Sequence, residues 1–185
     1  MTKQTWVFEP GHTGAEFTVR HMMVTNVRGH IKNISGRFVV DAEDPTKLEL
    51  EATLNANELW SGEADRDAHL KAPDFLDVEK YPHITFKSTS VVLQSENELE
   101  LTGDLTIRGI TKEVCLHVQR LGEWPTPFWE DNEDKGPITR AGFVATTKIN
   151  RHDFGVSWNS VLDKGGVIVG NMVDISIDVE ALLEK

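Results

Sequence analysis

The chain has 185 residues, a formal net charge of −11, 39% hydrophobic and 26% charged residues. These proportions argue against disorder, and no apolar run approaches the ~20 residues a membrane-spanning helix needs. The acidic balance lacks the clustered Lys and Arg of a nucleic-acid partner, and stable membrane insertion is not expected. The length suits one domain, residues 1–185, able to bury its own core. The start, "MTKQTWVFEP", shows no apolar secretory leader, so a cytoplasmic location is expected.

Along the chain, apolar and polar residues alternate with period two. Strands are expected at about 5–9, 14–21, 27–40, 47–59, 83–94, 98–107, 112–121, 139–149 and 167–180. In "LELEATL", Leu48, Leu50, Ala52 and Leu54 share one face; in "MVDISIDVE", Val173, Ile175, Ile177 and Val179 do. One wet and one apolar face per strand is the mark of antiparallel sheets. "RGITK" at 108–112 makes a tight connection in which Gly109 can take positive φ. Many long strands, short turns and a single apolar face predict an all-β fold with short helices. A sheet closed into an eight-stranded barrel would leave no exposed edge. The single cysteine, Cys115, excludes an intrachain disulfide; within "KEVCLHVQR" it reads as a buried or wall thiol. The stretch 122–137, "GEWPTPFWEDNEDKGP", reads as one long irregular loop carrying Trp124, Phe128 and Trp129 among acids.

The charged stretch "RDAHLKAPDFLDVEKYPHITFKST" lies at 66–89. Ser61 is the expected N-cap of a helix over "SGEADRDAHLK", with Asp67 and Lys71 four apart. Pro73 should open a further helical turn, and Pro82 should steer the chain into a strand. Asp65, Asp67 and His69 resemble a calcium loop only superficially: Leu70 stands where the sixth-position Gly belongs and Leu76 where the twelfth-position Glu belongs. No zinc spacing, nucleophile elbow or phosphate-binding glycine loop is present, so neither a metal nor a catalytic constellation is expected. Arg66 and Asp67 are expected to tie the helix to neighbouring backbone.

These residues resemble the YceI-like, polyisoprenoid-binding family. The resemblance rests on "RDAHL", "DF" and "YPHITFKS", with "FTVRHMMVTNVRGHI", "LTGDLTIRGITKEV", "INRHDFGVSW" and "VGNMVDISIDVE" following the same order through nearly the whole chain. It implies an extended lipocalin-like antiparallel barrel enclosing an apolar cavity, a long isoprenoid, quinone or similar lipid ligand, and a homodimer. It implies no catalysis and no resident cofactor beyond such a bound lipid.

An apolar tunnel would bind a lipid tail through burial alone, at ~0.8 kcal/mol per methylene, with few polar contacts. Alternation selects Phe17, Val19, Phe38, Leu50, Leu54, Phe86, Leu101, Leu105, Leu116, Phe143, Ile175 and Ile177 as lining residues. Arg66, His69, Arg151 and Trp158 are candidates for a polar head near the mouth, although Arg151 could instead be an anchor paired with acids. Two other readings stand beside a lipid carrier or store. One is an enzyme on an apolar substrate with Asp67 and His69 as acid–base groups; the other is a stress-related partner-binding protein.

Overall fold

The computed structural model describes residues 3–184. Ten strands and one helix follow in order. They are β1 (Lys3–Phe8), β2 (Gly14–His21), β3 (Thr25–Lys32), β4 (Ser35–Asp41), β5 (Asp44–Asn55), α1 (Ala64–Lys71), β6 (His83–Leu93), β7 (Glu98–Ile107), β8 (Ile110–Glu130), β9 (Glu133–Asn150) and β10 (Val169–Leu183). Every strand pairing is antiparallel.

Eight strands close the barrel in the order β1, β4, β5, β6, β7, β8, β9, β10 and back to β1. Strand β10 makes this possible by being long. Its end, Ala181–Leu183, pairs with β1, while Val169–Asp178 pairs with β2. The β2–β3 hairpin thus lengthens the wall beyond the closed ring, and a His30–Trp60 bridge fastens its free side. Inside, three clusters of buried residues succeed one another. Trp6, Phe8, Ile34, Phe38, Ala141 and Ala181 form one; Phe86, Val91, Leu101, Leu116, Val118 and Ala145 the next; Phe75, Ile107, Ile149, Phe154 and Val156 the third.

Alternation sets which way the walls face. Leu48, Leu50, Ala52 and Leu54 of β5 point into the lumen, while Glu51 turns outward to Lys87 at 2.7 Å. Val173, Ile175, Ile177 and Val179 of β10 do likewise, while Asp174 meets Lys148 at 2.9 Å outside. Two glycines shape the inner surface. Gly29 and Gly103 lie under the rings of Phe17 and Phe86, and a Cβ at either would meet its ring at 2.4 Å. Each ring can therefore lie along the wall.

Several local expectations change. The expected strand 27–40 is two strands, because Asn33 adopts φ 55° and turns the chain between β3 and β4. Strand β5 stops at Asn55, whose side chain caps a 3₁₀ turn over Ala56–Glu58. Glu63, not Ser61, caps α1, accepting from the amides of Asp65 and Arg66; Ser61 is instead bonded to Asp67. After Lys71 the chain makes hydrogen-bonded turns with Asp77 at φ 51°, not a further helix. Asp67 turns to Ser61 rather than along the helix to Lys71.

The stretch 122–137 is no irregular loop. It is the outer part of the β8–β9 hairpin, paired out to Glu130–Glu133. Asp131 and Asn132 at its tip have φ of 52° and 64°, the positive pair that a tight right-twisted hairpin turn demands. The register shifts between Arg120 and Gly122 and between Pro127 and Trp129. Cys115 is a wall thiol but an exposed one, on the outer face of β8.

Candidate functional site

The lumen contains a cavity of about 280 Å³, close to the lower end of the ~300–1,000 Å³ usual for small-molecule pockets. The structure brings all twelve lining candidates to its wall: Phe17, Val19, Phe38, Leu50, Leu54, Phe86, Leu101, Leu105, Leu116, Phe143, Ile175 and Ile177. They come from eight strands, and strand alternation alone suffices to aim them inward. Others escaped sequence reasoning. Leu59, Leu70, Phe75, Phe154 and Val156 also line the cavity, but they sit in turns, α1 or the 3₁₀ segment, where period two carries no information. The apolar residues of "KAPDFLDV" and "HDFGV" were the available signal.

One end of the site is built by α1 and the turn after it. Arg66 donates through Nε to Ser61 Oγ at 2.7 Å and through Nη2 to the Ser61 carbonyl at 2.8 Å. Asp67, a buried carboxylate, accepts from the Ser61 amide at 2.8 Å and from the Ser61 hydroxyl. Both charges are therefore spent on closing the loop between residues 61 and 67. His69 lies 3.3 Å from Asp74 through Nε2. Its ring meets Phe75 edge-on at 4.9 Å and Trp158 at 4.8 Å. Phe75, packed against Trp158 at 5.4 Å, is the member of this aromatic group that reaches the cavity. Arg108 fastens the same region, donating to the carbonyls of Gly155 at 2.6 Å and Pro73 at 2.7 Å.

Of the four head-group candidates, Arg151 reaches the wall; Arg66, His69 and Trp158 do not. Their side chains are engaged in holding α1 and the 156–158 segment in place. The acid–base pairing of Asp67 with His69 is likewise not assembled: one turns to Ser61, the other to Asp74, and neither lines the cavity.

Arg151 is 5% exposed. It follows Asn150, whose side chain caps the 3₁₀ turn Arg151–Phe154, and Gly155 ends that turn at φ 70°. Its Nε donates to the Gly170 carbonyl at 2.9 Å, its Nη1 to those of Val156 at 2.7 Å and Trp158 at 2.9 Å, and its Nη2 to that of Val169 at 3.2 Å. It is an anchor, but to backbone rather than to acids. Burial holds its pKa below the ordinary guanidinium value, since leaving water penalises the charged form.

No group of three or more His, Cys, Asp or Glu among the described residues could hold a metal ion, and no helix there is long and apolar enough to cross a membrane.

Comparison with known proteins gives a consistent result. The profile of the YceI-like domain matches residues 6–181. A UPF0312 protein of Pseudomonas putida is 34% identical over 177 residues, 96% of this chain and 84% of that protein. Protein YceI of Shigella flexneri is 34% identical over 177 residues, 96% of this chain and 85% of that one. Among solved structures, Burkholderia cenocepacia BcnA superposes with a TM-score of 0.77 at 19% identity, over 94% of this chain and 98% of its own. A polyisoprenoid binding domain from Saccharophagus degradans superposes at 0.67 with 10% identity, over 97% and 98%. These last two share the fold. With a profile match over nearly its whole length and relatives of one-third identity, this chain belongs to the YceI-like domain family.

Proposed function

We propose that the protein binds a long apolar molecule, an isoprenoid, quinone or similar lipid, inside the barrel and carries, stores or sequesters it. The observation behind this reading is the cavity wall. It is built from aliphatic and aromatic side chains, with Glu16, Thr147 and Arg151 the exceptions. Such a lumen suits an apolar molecule, offering ~0.8 kcal/mol for each methylene it shields from water. Membership of a family whose fold is shared by a polyisoprenoid binding domain supports the same class of ligand.

The test uses the whole protein. Organic extraction followed by mass spectrometry identifies any co-purified lipid, and uptake of geranylgeraniol and a short-tailed ubiquinone is then measured by native mass spectrometry on stripped protein. Stoichiometric uptake is expected. Leu101→Trp, which puts a large ring into the lumen, should abolish uptake while the circular dichroism of the barrel is kept. An empty extract together with no uptake of either probe would overturn the proposal.

A further inference from the structure

Arg151 carries a charge into the cavity wall without a counter-charge. None of the ion pairs among the described residues includes it. Its partners are four backbone carbonyls, those of Val156, Trp158, Val169 and Gly170. Carbonyl dipoles solvate a cation but do not neutralise it. Burial is also the sole cause acting on its pKa; no carboxylate pulls it back up.

Arg108 nearby also donates to backbone carbonyls, but it is only half-buried and does not line the cavity. Arg66 shares Ser61 with Asp67, and His69 faces Asp74. Glu16, the other ionisable group on the wall, leans outward, with its carboxylate 3.7 Å from His30 and 3.9 Å from Arg28. Buried charges in proteins are normally paired, because an uncompensated one in an apolar setting is costly. Here the lumen beside Arg151 is apolar, so the protein itself supplies nothing to balance it.

We propose that Arg151 is a specificity-determining subsite that makes the cavity select lipids with an anionic head, a carboxylate or phosphate, over neutral lipids with the same tail. This rests on reading the cavity as a lipid site and names the head group that reading leaves open. The donor count sets the form of the contact. Guanidinium has five N–H groups, and four are used on carbonyls. One Nη2 hydrogen remains without a protein acceptor among the described residues. The head group thus receives a single charge-assisted hydrogen bond plus the field of a poorly screened cation, not a two-pronged clamp.

The experiment compares four ligands of one tail length on stripped full-length protein at pH 8: palmitate, hexadecyl phosphate, methyl palmitate and hexadecanol. Displacement of a fluorescent neutral lipid probe reads the affinities. At least tenfold tighter binding of an anion than of the ester and alcohol is expected, and the order of the two anions tells carboxylate from phosphate. Arg151→Lys should retain the preference and Arg151→Met should erase it. Because Arg151→Met removes a buried anchor, the wild-type protein carries an independent check. The carboxyl ¹³C signal of bound [1-¹³C]palmitate should titrate below that of palmitate in neutral detergent micelles. Equal affinity for acid, ester and alcohol, or an unshifted or raised carboxyl titration, overturns the anionic subsite while leaving the lipid cavity standing. Failure of all four ligands and the probe to bind overturns the cavity reading and the subsite with it.

Discussion

Arg66 and Arg151 look alike in sequence, each beside an acid or an amide in a charged stretch, yet they do opposite things. Arg66 stays local. It reaches back five residues to Ser61, beside the Asp67 carboxylate that holds the same serine. Arg151 reaches forward as far as Gly170 and gathers the carbonyls of a segment spanning 156–170 around one buried guanidinium. The first closes a surface loop beside a carboxylate that shares its serine partner. The second organises the entry of the chain into β10 and leaves its charge facing an apolar lumen. Similar motifs can therefore encode a loop closure or a buried, unbalanced cation, and the distinction lies in what the rest of the fold packs around them.

The comparison is broken most forcefully at Arg151. Arg151→Met strands several buried carbonyls, and at about 1–3 kcal/mol per unsatisfied buried group the loss should reach about 3 kcal/mol or more. For a chain of this size that corresponds to roughly 10 °C in the thermal midpoint followed by circular dichroism. Hydrogen exchange should localise the loosening to 156–170. A shift under about 2 °C would show that the carbonyl cage is dispensable.

At the other arginine the effects should be smaller. Asp67→Ala removes a buried acceptor of two hydrogen bonds from Ser61 and should cost about 1–3 kcal/mol. Arg66→Ala should cost about 1 kcal/mol. Because both residues act on Ser61, the double variant should lose less than the two single losses combined. Strict additivity in urea titrations would mean that they do not form one unit.

The smallest effect is expected where charge is paired in solvent. Lys87 holds the Glu51 carboxyl below its ordinary range, and Glu51 raises the Lys87 ammonium above its own. The depressed carboxyl contributes stability that is present above its unfolded pKa and is lost as pH falls through the folded value. The raised ammonium contributes stability that is present below its unfolded pKa and is lost as pH rises through the folded value. Stability from the pair should therefore be flat at neutral pH and fall on both the acid and the strongly alkaline flank. Thermal midpoints of wild type and Lys87→Gln measured across pH should converge at both extremes. A constant offset at every pH would remove the pair as the cause.

Much of the fold was legible because strand alternation is a local property. Leu50, Leu101, Leu116 and Ile175 point inward for the same reason that Glu51, Glu100, Cys115 and Asp174 point outward: neighbouring residues of a strand face opposite sides. The turn at Arg108–Gly109 was legible too, since a glycine between two alternating runs has few other uses. The outer β8–β9 hairpin was not. Three prolines and a run of acids obscure its alternation, and its pairing is sustained across two irregularities by residues on the other strand. Phe75 and Phe154 were missed as cavity residues because turns have no period to read.

By itself, the sequence determined the all-β class, the inward faces of the wall strands, the twelve lining positions and the family, all of which follow from short-range pattern and motif. Only the tertiary structure decided the rest. It joined β1 to β10 across the whole chain, set β2 and β3 as an extension of the wall, and took Arg66, His69 and Trp158 away from the cavity while bringing Arg151 to it. The physical reason is range. A period of two is written in adjacent residues, whereas the partners of a buried charge are chosen by segments that meet only when the barrel closes.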